Sequence, residues 1–281
     1  MSVISGKDAF VEGVPCTTSW SASFVAGIQP YVCSATNGGT GIVEGNINWS
    51  GSMSGLGPNP PMLPGKEYTF KGVIDMLQAD QLALDGTVLI ENVSIQFPIA
   101  GGGPITWTAS FGVQGSLESS STGAVDPSSK LAISGKDTTV KIDPGGTPFV
   151  VPDVQSVALA FSAPSVTYVD GGVTKRTEGN LSANLTFEVL NRDIYQTGYQ
   201  PNTRNVVHIE IGDTTYWLLD QIVFGGLTNF NVNVANRAIV GYTVSGQWSA
   251  VSQLDVDNLG QLKSPGSPGM NNGVDWFGTD L

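Results

Sequence analysis

The sequence predicts an all-β protein made of two tandem, related antiparallel β-sandwich or barrel units with little helix. Polar and apolar residues alternate over long stretches, which is typical of strands with one buried face. Charged residues make up 13% of the chain, against roughly 25% in a typical soluble domain, and Gly, Ser, Thr and Asn take their place. The third observation is a repeat: Ile4-Ser5-Gly6-Lys7-Asp8 returns as Ile133-Ser134-Gly135-Lys136-Asp137.

The repeat continues along the chain and predicts its division into units. Five further matches follow in the same order, at offsets between 127 and 137 residues: 20–24 with 157–161, 44–47 with 178–181, 82–88 with 209–216, 89–93 with 218–222, and 111–117 with 242–248. We therefore expect a first β unit at 1–118 and a second at 132–251 that repeats it. The Ser-rich stretch 119–131 is expected to be a flexible linker, and 252–281 an acidic, Gly- and Pro-rich tail.

The individual elements are mostly strands. Alternation is clearest in 180–189 and 105–111, and each unit is expected to hold roughly six to eight strands. Asp85-Gly86 lies between two extended runs and predicts a hairpin turn. Its counterpart is the hairpin predicted within 209–216. Asp75 and Gln78 stand at capping-box positions and predict one short helical turn.

The charge balance excludes one class of ligand. The net charge is −12, and the 12 Lys and Arg residues are scattered along the chain. Binding to nucleic acid without sequence specificity depends on Lys and Arg that neutralise phosphates, so DNA or RNA is not expected as a bound ligand. An acidic surface can still face DNA as a wall that repels it.

Cellular context is indicated only broadly. Cys16 and Cys33 are too few for a disulfide framework; they are expected to be buried thiols, or else a disulfide between adjacent strands. The N-terminus carries no signal-peptide pattern, and no stretch approaches the roughly 20 apolar residues of a membrane helix. These features predict a protein made in the cytoplasm that does not enter a membrane.

Two loops and the tail carry large side chains among turn-forming residues. The first loop holds Met62 and Leu63, and the second holds Tyr195 and Tyr199. Each is either an ordinary surface loop or an arm that packs on another subunit and so shields these side chains from water. The tail is either disordered or anchored on a neighbouring subunit by Trp276-Phe277. These six residues are the predicted contacts between subunits or between rings.

No motif in the sequence indicates a reaction. His208 is the only histidine; it lies on the polar side of an alternating run, and no G-x-S-x-G stretch supplies a nucleophile. A His-rich metal site is excluded, and Gly101-Gly102-Gly103-Pro104 has no following Lys-Ser/Thr pair to make a phosphate loop. Asp170 and Glu178 are acids of the kind a glycosidase uses, but their separation is open. We expect no enzyme activity, no catalytic residue, no cofactor and no metal.

These features together resemble the major tail tube proteins of long-tailed bacteriophages. The resemblance is carried by the doubled β unit, the low charge, the polar sheet faces and the long loops, and it covers 3–118 and 132–251; no short diagnostic motif marks it. In that family one β-sandwich unit forms rings of six that stack into a tube carrying DNA. Some members fuse two units and form trimeric rings with pseudo-sixfold symmetry.

The resemblance implies a structural virion protein of the tail, assembled in the host cytoplasm. Its partners would be itself, as trimer rings stacked into a tube, and other phage tail proteins, while DNA passes through the lumen without specific binding. Duplication suits such a ring because each half makes the same head-to-tail contact, and closure of strands into a ring-wide barrel removes exposed sheet edges. Strands within 44–53, 105–117, 178–189 and 238–248 are expected to line the lumen.

Three alternatives stay open. A capsid decoration protein is also β-rich, acidic and trimeric, but it does not polymerise into tubes. A carbohydrate-binding or adhesin module presents exposed aromatic side chains on one face. A glycosidase would depend on acidic residues in its loops.

Overall fold

The computed structural model describes residues 9–14, 16–32, 39–58, 60, 62, 64–75, 82–121, 132–171, 173–190, 203–211, 215–225, 229–231, 241–248 and 261–263. Within these ranges the protein is nearly all β, as predicted, and every paired strand is antiparallel. The single helical element there is the 3-10 turn Gly135–Asp137. In the described ranges there is no helix whose length and apolar character would let it cross a membrane.

The described residues up to 121 form seven strands. They are β1 (Phe10–Val11), β2 (Thr17–Tyr31), β3 (Gly41–Leu56), β4 (Glu67–Asp75), β5 (Leu82–Pro98), β6 (Thr106–Val113) and β7 (Glu118–Ser121). The strands β2, β3 and β5 are unusually long, at 15, 16 and 17 residues.

Eleven strands, of at most 10 residues, follow among the described residues from 132 onward. They are β8 (Thr138–Asp143), β9 (Phe149–Val150), β10 (Val154–Ser162), β11 (Val166–Asp170), β12 (Val173–Thr177), β13 (Ser182–Val189), β14 (Arg204–Ile211), β15 (Thr215–Phe224), β16 (Asn229–Asn231), β17 (Gly241–Trp248) and β18 (Gln261–Lys263). Burial alternates residue by residue along β13 and β14, because successive side chains of a strand point to opposite faces.

In the part of the chain that the structure describes, the strands form one sheet of 16 strands and the separate pair β11–β12. The main path runs β2-β3-β6-β5-β10-β13-β17-β15-β14-β8-β9, with β4 beside β5 and β1 beside β4. Within the first half the order is therefore β2-β3-β6-β5-β4-β1, and within the second it is β10-β13-β17-β15-β14-β8. The two halves join where β5 pairs with β10.

The pairing registers of the two halves also correspond. Phe24 lies opposite Trp49, and Phe161 lies opposite Ala183. The sequence match of 20–24 with 157–161 pairs Phe24 with Phe161, and the match of 44–47 with 178–181, extended by two residues, pairs Trp49 with Ala183. The short N-terminal strands agree as well, since Val11 lies opposite Gly72 as Val140 lies opposite Ile209. The step from Val11 to Val140 equals the step from Ile4 to Ile133.

Three of the sequence matches are out of register. The match of 82–88 with 209–216 sets the start of β5 against the end of β14, whereas Ile209 of β14 pairs with Val140 as Gly72 of β4 pairs with Val11. Phe111 lies opposite Gly51 and Ile90. The corresponding position in the second half is that of Gly246, opposite Leu185 and Phe224. The sequence match instead pairs Phe111 with Tyr242. Similarly, the partners of Leu89 correspond to those of Val223 rather than Leu218. Alternating strands look alike after a shift of a few residues, so pattern alone left the register open.

The hairpin predicted at Asp85-Gly86 is wrong. β5 runs straight through it, with Asp85 opposite Lys71 on one side and Glu118 on the other. Pairing on both edges overrides the local turn preference of Asp-Gly. The counterpart is confirmed, since β14 and β15 pair as a hairpin that ends at Ile211 opposite Thr215. Of the predicted helical turn, Asp75 ends β4 and the rest lies outside the described residues.

The predicted linker is a strand at its start, because β7 pairs with β5 from Glu118 to Ser121. The following residues, up to 131, lie outside the described ranges. Residues 133–135 are bound to the β5–β6 loop: the N–H of Ile105 donates to the carbonyl of Ile133, and that of Gly135 donates to the carbonyl of Gly103. The second copy of the Ile-Ser-Gly-Lys-Asp stretch thus contains a 3-10 turn that leads into β8, and the Gly-rich stretch 101–104 is the loop to which it is bound; the first copy lies outside the described residues.

The core forms where strands that are not neighbours in the main sheet pack their side chains against one another. Phe70 of β4 contacts Trp20 of β2 and Phe111 of β6, with ring centroids 5.7 and 4.9 Å apart. In the second half Phe161 of β10 stacks on Trp217 of β15 at 5.9 Å. One continuous cluster of buried side chains includes residues of both halves, so the halves share a core.

Candidate functional site

The outer face of the main sheet is a continuous surface of hydroxyl and amide side chains. It spans seven neighbouring strands, β2-β3-β6-β5-β10-β13-β17, whose registers put these residues opposite one another. We call it the hydroxyl face. Its polar neutral members are Ser19, Ser21, Ser23, Asn48, Ser50, Ser52, Ser54, Asn92, Ser94, Gln96, Thr106, Thr108, Ser110, Ser156, Ser162, Ser182, Asn184, Thr186, Thr243, Ser245 and Gln247.

Side-chain hydrogen bonds link this face across strands. Ser19 and Ser54 share one between their Oγ atoms at 2.7 Å, and Ser21 and Ser52 share one at 3.0 Å. At the junction of the halves, Ser162 donates to Oδ1 of Asn92 at 2.6 Å, and Nδ2 of Asn92 donates to Ser110 at 2.9 Å. These contacts hold the hydroxyl and amide groups in place and satisfy many of them within the protein.

Charge is almost missing from the hydroxyl face. Among its paired positions only Glu188 is ionisable, opposite Ser156 and Thr243; Val25, Leu56, Pro98, Ala158 and Ala160 are the apolar ones. One cation reaches the face from another strand: Arg176 donates to Asn48 and is paired with Glu91. A face whose own strands place no Lys or Arg at these positions gives the phosphates of nucleic acid little electrostatic attraction. A neutral polar wall also stays wetted, which an apolar wall of this size would not.

The β2–β3 hairpin exposes apolar side chains along its far half. Ile28 is 64% exposed, Ile42 65% and Val43 52%; Val32 and Tyr31 are exposed as well. We call residues 28–32 and 39–43 the first arm. Large contiguous apolar patches on a surface usually mark contacts with another molecule. Nearer the body, Phe24 stacks obliquely on Trp49 with ring centroids 4.8 Å apart.

The β11–β12 pair occupies the matching place in the second half, and we call it the second arm. Its register continues the correspondence, since Thr167 lies opposite Arg176 as Pro30 lies opposite Ile42. The second arm packs on the first half. The hydroxyl of Thr174 donates to the carbonyl of Ile47 at 3.2 Å, and the backbone carbonyl of Thr174 accepts from the N–H of Gly115 at 3.0 Å.

Arg176 anchors the second arm. Its Nη1 donates to Oε1 of Glu91 on β5 at 2.7 Å and to Ser165 at 2.9 Å, and Nη2 donates to Oδ1 of Asn48 on β3 at 2.7 Å. Gln114 completes the site, because its amide exchanges hydrogen bonds with the backbone N–H and carbonyl of Arg176 at 2.7 and 2.8 Å. The guanidinium therefore ties the second half to two strands of the first.

Of the six predicted contact residues, only Met62 lies among the described residues. Met62 is only 4% exposed and belongs to the shared core, so within the single chain it is already shielded from water; its contact with another subunit stays a prediction. Leu63, Tyr195, Tyr199, Trp276 and Phe277 lie outside the described residues. The exposed first arm was missed, although the run Phe24-Val25-Ala26-Gly27-Ile28 carries an apolar signal on both faces of a strand.

The groups weighed for chemistry lie apart or are engaged structurally. His208 is half-buried on β14, opposite Lys141 and Leu218. Asp170 accepts a hydrogen bond from the Lys175 ammonium at 2.5 Å, and this contact lowers the pKa of its carboxyl. Within the described residues no group of three or more His, Cys, Asp or Glu side chains could hold a metal ion. Cys16 is half-buried rather than buried, and Cys33 lies outside the described residues.

The carboxyl of Asp143 shapes a turn rather than a reaction. Its Oδ1 accepts from the N–H groups of Gly146 and Gly145 at 2.6 and 2.9 Å, and these bonds lower the pKa of Asp143. Gly145 has a φ of +108°, which favours glycine. The turn connects β8 to β9.

The chemistry that the described residues offer is therefore that of surfaces: a broad neutral polar face, an apolar arm and a charged junction between halves. In comparison with known proteins, no family model matches this chain, and no curated protein matches it at a significant level.

Proposed function

We propose that the protein is a structural subunit of a bacteriophage tail tube, in which trimeric rings with pseudo-sixfold symmetry stack into a hollow conduit for DNA. The hydroxyl face is the observation that carries this proposal. A conduit for DNA needs a wall that stays hydrated but does not bind DNA. A seven-strand face whose paired positions include one ionisable side chain, Glu188, and where the neighbouring Arg176 is neutralised by Glu91, is suited to that role.

The proposal includes the origin of the chain by duplication of one β unit, with units at 1–118 and 132–251. Its support is the matching strand order of the halves and their matching registers, from Val11 and Val140 to the two arms. Two similar units in one chain are a natural building block for a closed ring, because each can make the same head-to-tail contact.

The proposed lumen segments 105–117, 178–189 and 238–248 contain β6, β13 and β17, and 44–53 covers the middle of β3; these four strands all belong to the hydroxyl face. The face that looks at DNA in this proposal is the one that bears Ser52, Thr108, Thr186 and Ser245, because the opposite face of the same strands is packed in the core.

Electron microscopy of the purified full-length protein tests the function. We expect stacked rings or hollow tubes with a water-filled lumen, and trimers as the smallest closed assembly. A population of monomers over the whole accessible concentration range would contradict the proposal. Trimers that never stack would point to the capsid decoration protein instead.

A second candidate function has one observation in its favour. The Phe24–Trp49 pair presents aromatic rings on an exposed hairpin, with Phe24 57% exposed, and aromatic side chains on one face are typical of carbohydrate-binding modules. Glycan binding that is lost in Phe24→Ala, by a protein that stays monomeric, would favour this candidate over the tube.

A further inference from the structure

The hydroxyl face ends in two strands whose outer edges are open. Within the described residues β2 pairs only with β3, and β16 pairs only with β17. Both belong to the same sheet: β2 lies at one end of the hydroxyl-face strands, and β16 lies beside β17 at the other end of that set, off the main path of the sheet. An open edge presents unpaired N–H and C=O groups and is a ready template for another strand. Among the described residues, β2 and β16 thus offer the two open edges that a head-to-tail contact between copies requires.

The chain itself contains one completed contact of this type. Where the halves join, β10 pairs antiparallel with β5, placing Ala158 opposite Gln96 and Ala160 opposite Ser94. In the first half β2 takes the position of β10. In the second half β16 takes the position of the last part of β5, since Asn229 lies opposite Thr243 as Ser94 lies opposite Thr108.

We infer that the β2 edge of one copy pairs antiparallel with β16 of the next copy, in the register of the internal β5–β10 junction. Ser21 then lies opposite Asn231 of the next copy, and Ser23 opposite Asn229. This inference rests on the proposed ring assembly and specifies its interface. The hydroxyl face continues without a break from one copy to the next.

The arms support the same contact independently. The second arm lies over the first half of its own chain, where Thr174 bonds to Ile47 and Arg176 bonds to Asn48. The first arm holds the equivalent place at the other end of the sheet, and within the described residues it has no such support. It would lie over the second half of the next copy.

The chemistry of the two arms differs in a consistent way. Ile42 stands where the second arm has Arg176, as their partners Pro30 and Thr167 indicate. The contact within the chain is therefore built on a charged anchor, whereas the contact between chains is built on apolar side chains. The exposed Ile28, Ile42 and Val43 are accounted for, because they become covered on assembly.

Cysteine pairs test the register. In full-length protein with Cys16 and Cys33 replaced by serine, Ser21→Cys with Asn231→Cys is oxidised and run on a non-reducing gel. We expect a ladder of covalent dimers and higher oligomers. Ser21→Cys with Asn229→Cys is the control out of register and is expected to give at least about tenfold less product. Ala158→Cys with Gln96→Cys, at the internal junction, is expected to link within one chain and give no ladder.

A second measurement needs no disulfide. Ile42→Ser combined with Val43→Ser should raise the concentration needed for assembly by on the order of 100-fold, since burying each such side chain is worth roughly tenfold or more. These side chains are exposed in the single chain, so the monomer should keep its thermal midpoint. Thr139→Ser on β8 is the surface control.

The outcomes separate this interface from the proposed function. Rings or tubes seen by microscopy without the in-register ladder would overturn the strand pairing but would still support the proposed tail tube function. An in-register ladder in open filaments without rings would support the pairing and contradict the tube. Equal linking of the two pairs, or unchanged assembly of the arm variant, would overturn the inference.

Discussion

The guanidinium of Arg176 lies 2.7 Å from the carboxylate of Glu91, and this ion pair joins the second half of the chain to the first. Arg176 is on β12 and Glu91 is on β5, and their side chains are 7% and 23% exposed. Pairs as shielded as this one are costly to break, because the partner that remains is left with an uncompensated charge.

Arg176→Met is expected to destabilise the protein by about 3 kcal/mol, near the lower end for a buried pair because Glu91 keeps some contact with water. Urea unfolding of the full chain measures it. Lys175→Met is the matched control: its partner is Asp170 on the same exposed arm, and little or no loss is expected there, because exposed ion pairs are screened by water and salt. Similar losses in both variants would contradict the assignment of Arg176 as the anchor.

Gly112→Ala should act through the same anchor. A Cβ atom at residue 112 would lie 2.2 Å from Cζ of Arg176, so the guanidinium would have to leave its partners. We expect a loss of about 1–3 kcal/mol. Gly101→Ala is the control, because a Cβ there meets nothing within 4 Å. In Arg176→Met the Gly112→Ala penalty should shrink, and additive penalties would argue against the shared cause.

Met62→Ala tests the position of that loop. Met62 is buried in the shared core, and truncation of a buried Met costs about 2–5 kcal/mol. The loss should appear in the unfolding of the monomer and should not depend on protein concentration. Leu82→Ala, at a more exposed position, serves for comparison. A variant with normal monomer stability and weakened assembly would support the interface role predicted from the sequence.

Asp143 predicts a pH dependence. Backbone N–H groups of Gly146 and Gly145 lower its pKa below the ordinary 3.8, so the folded state favours the charged carboxylate. The contribution is present at pH values above 3.8, and it is lost as pH falls through the lowered folded-state value. The free energy of unfolding of wild type minus that of Asp143→Asn should therefore be constant near neutral pH and shrink in acid. A difference that is flat down to pH 2 would contradict this account.

Positive charge on the hydroxyl face should make the assembled protein bind DNA. Thr108→Lys with Asn184→Lys places two ammonium groups on exposed positions of that face. If the face lines a DNA conduit, binding to short duplexes should appear at low salt, with a salt dependence of about one released counterion per lysine. Thr139→Lys, on β8, adds charge away from the face. Equal DNA binding by both variants would argue that the face is not a lumen.

Much of the fold could be read from alternation and repetition. The alternating run 182–189 is β13, and the recurrence of Ile-Ser-Gly-Lys-Asp leads to equivalent strands β1 and β8. The Asp85-Gly86 turn was misread because turn preference is local, whereas β4 and β7 pair with β5 on either side of it. The strands β6 and β17 were matched four residues out of register, because a pattern that alternates every two residues matches itself after any even shift.

The sequence by itself determined that the protein is β-rich, poor in charge and built from stretches that recur. These properties follow from which residues are present and in what order, since alternation sets which face of a strand is apolar. Only the tertiary structure decided that Met62 turns inward, that Arg176 of one half reaches Glu91 of the other, and that seven strands share one hydroxyl face. Those relationships join residues far apart in the chain, and their register depends on backbone pairing that composition and period do not encode.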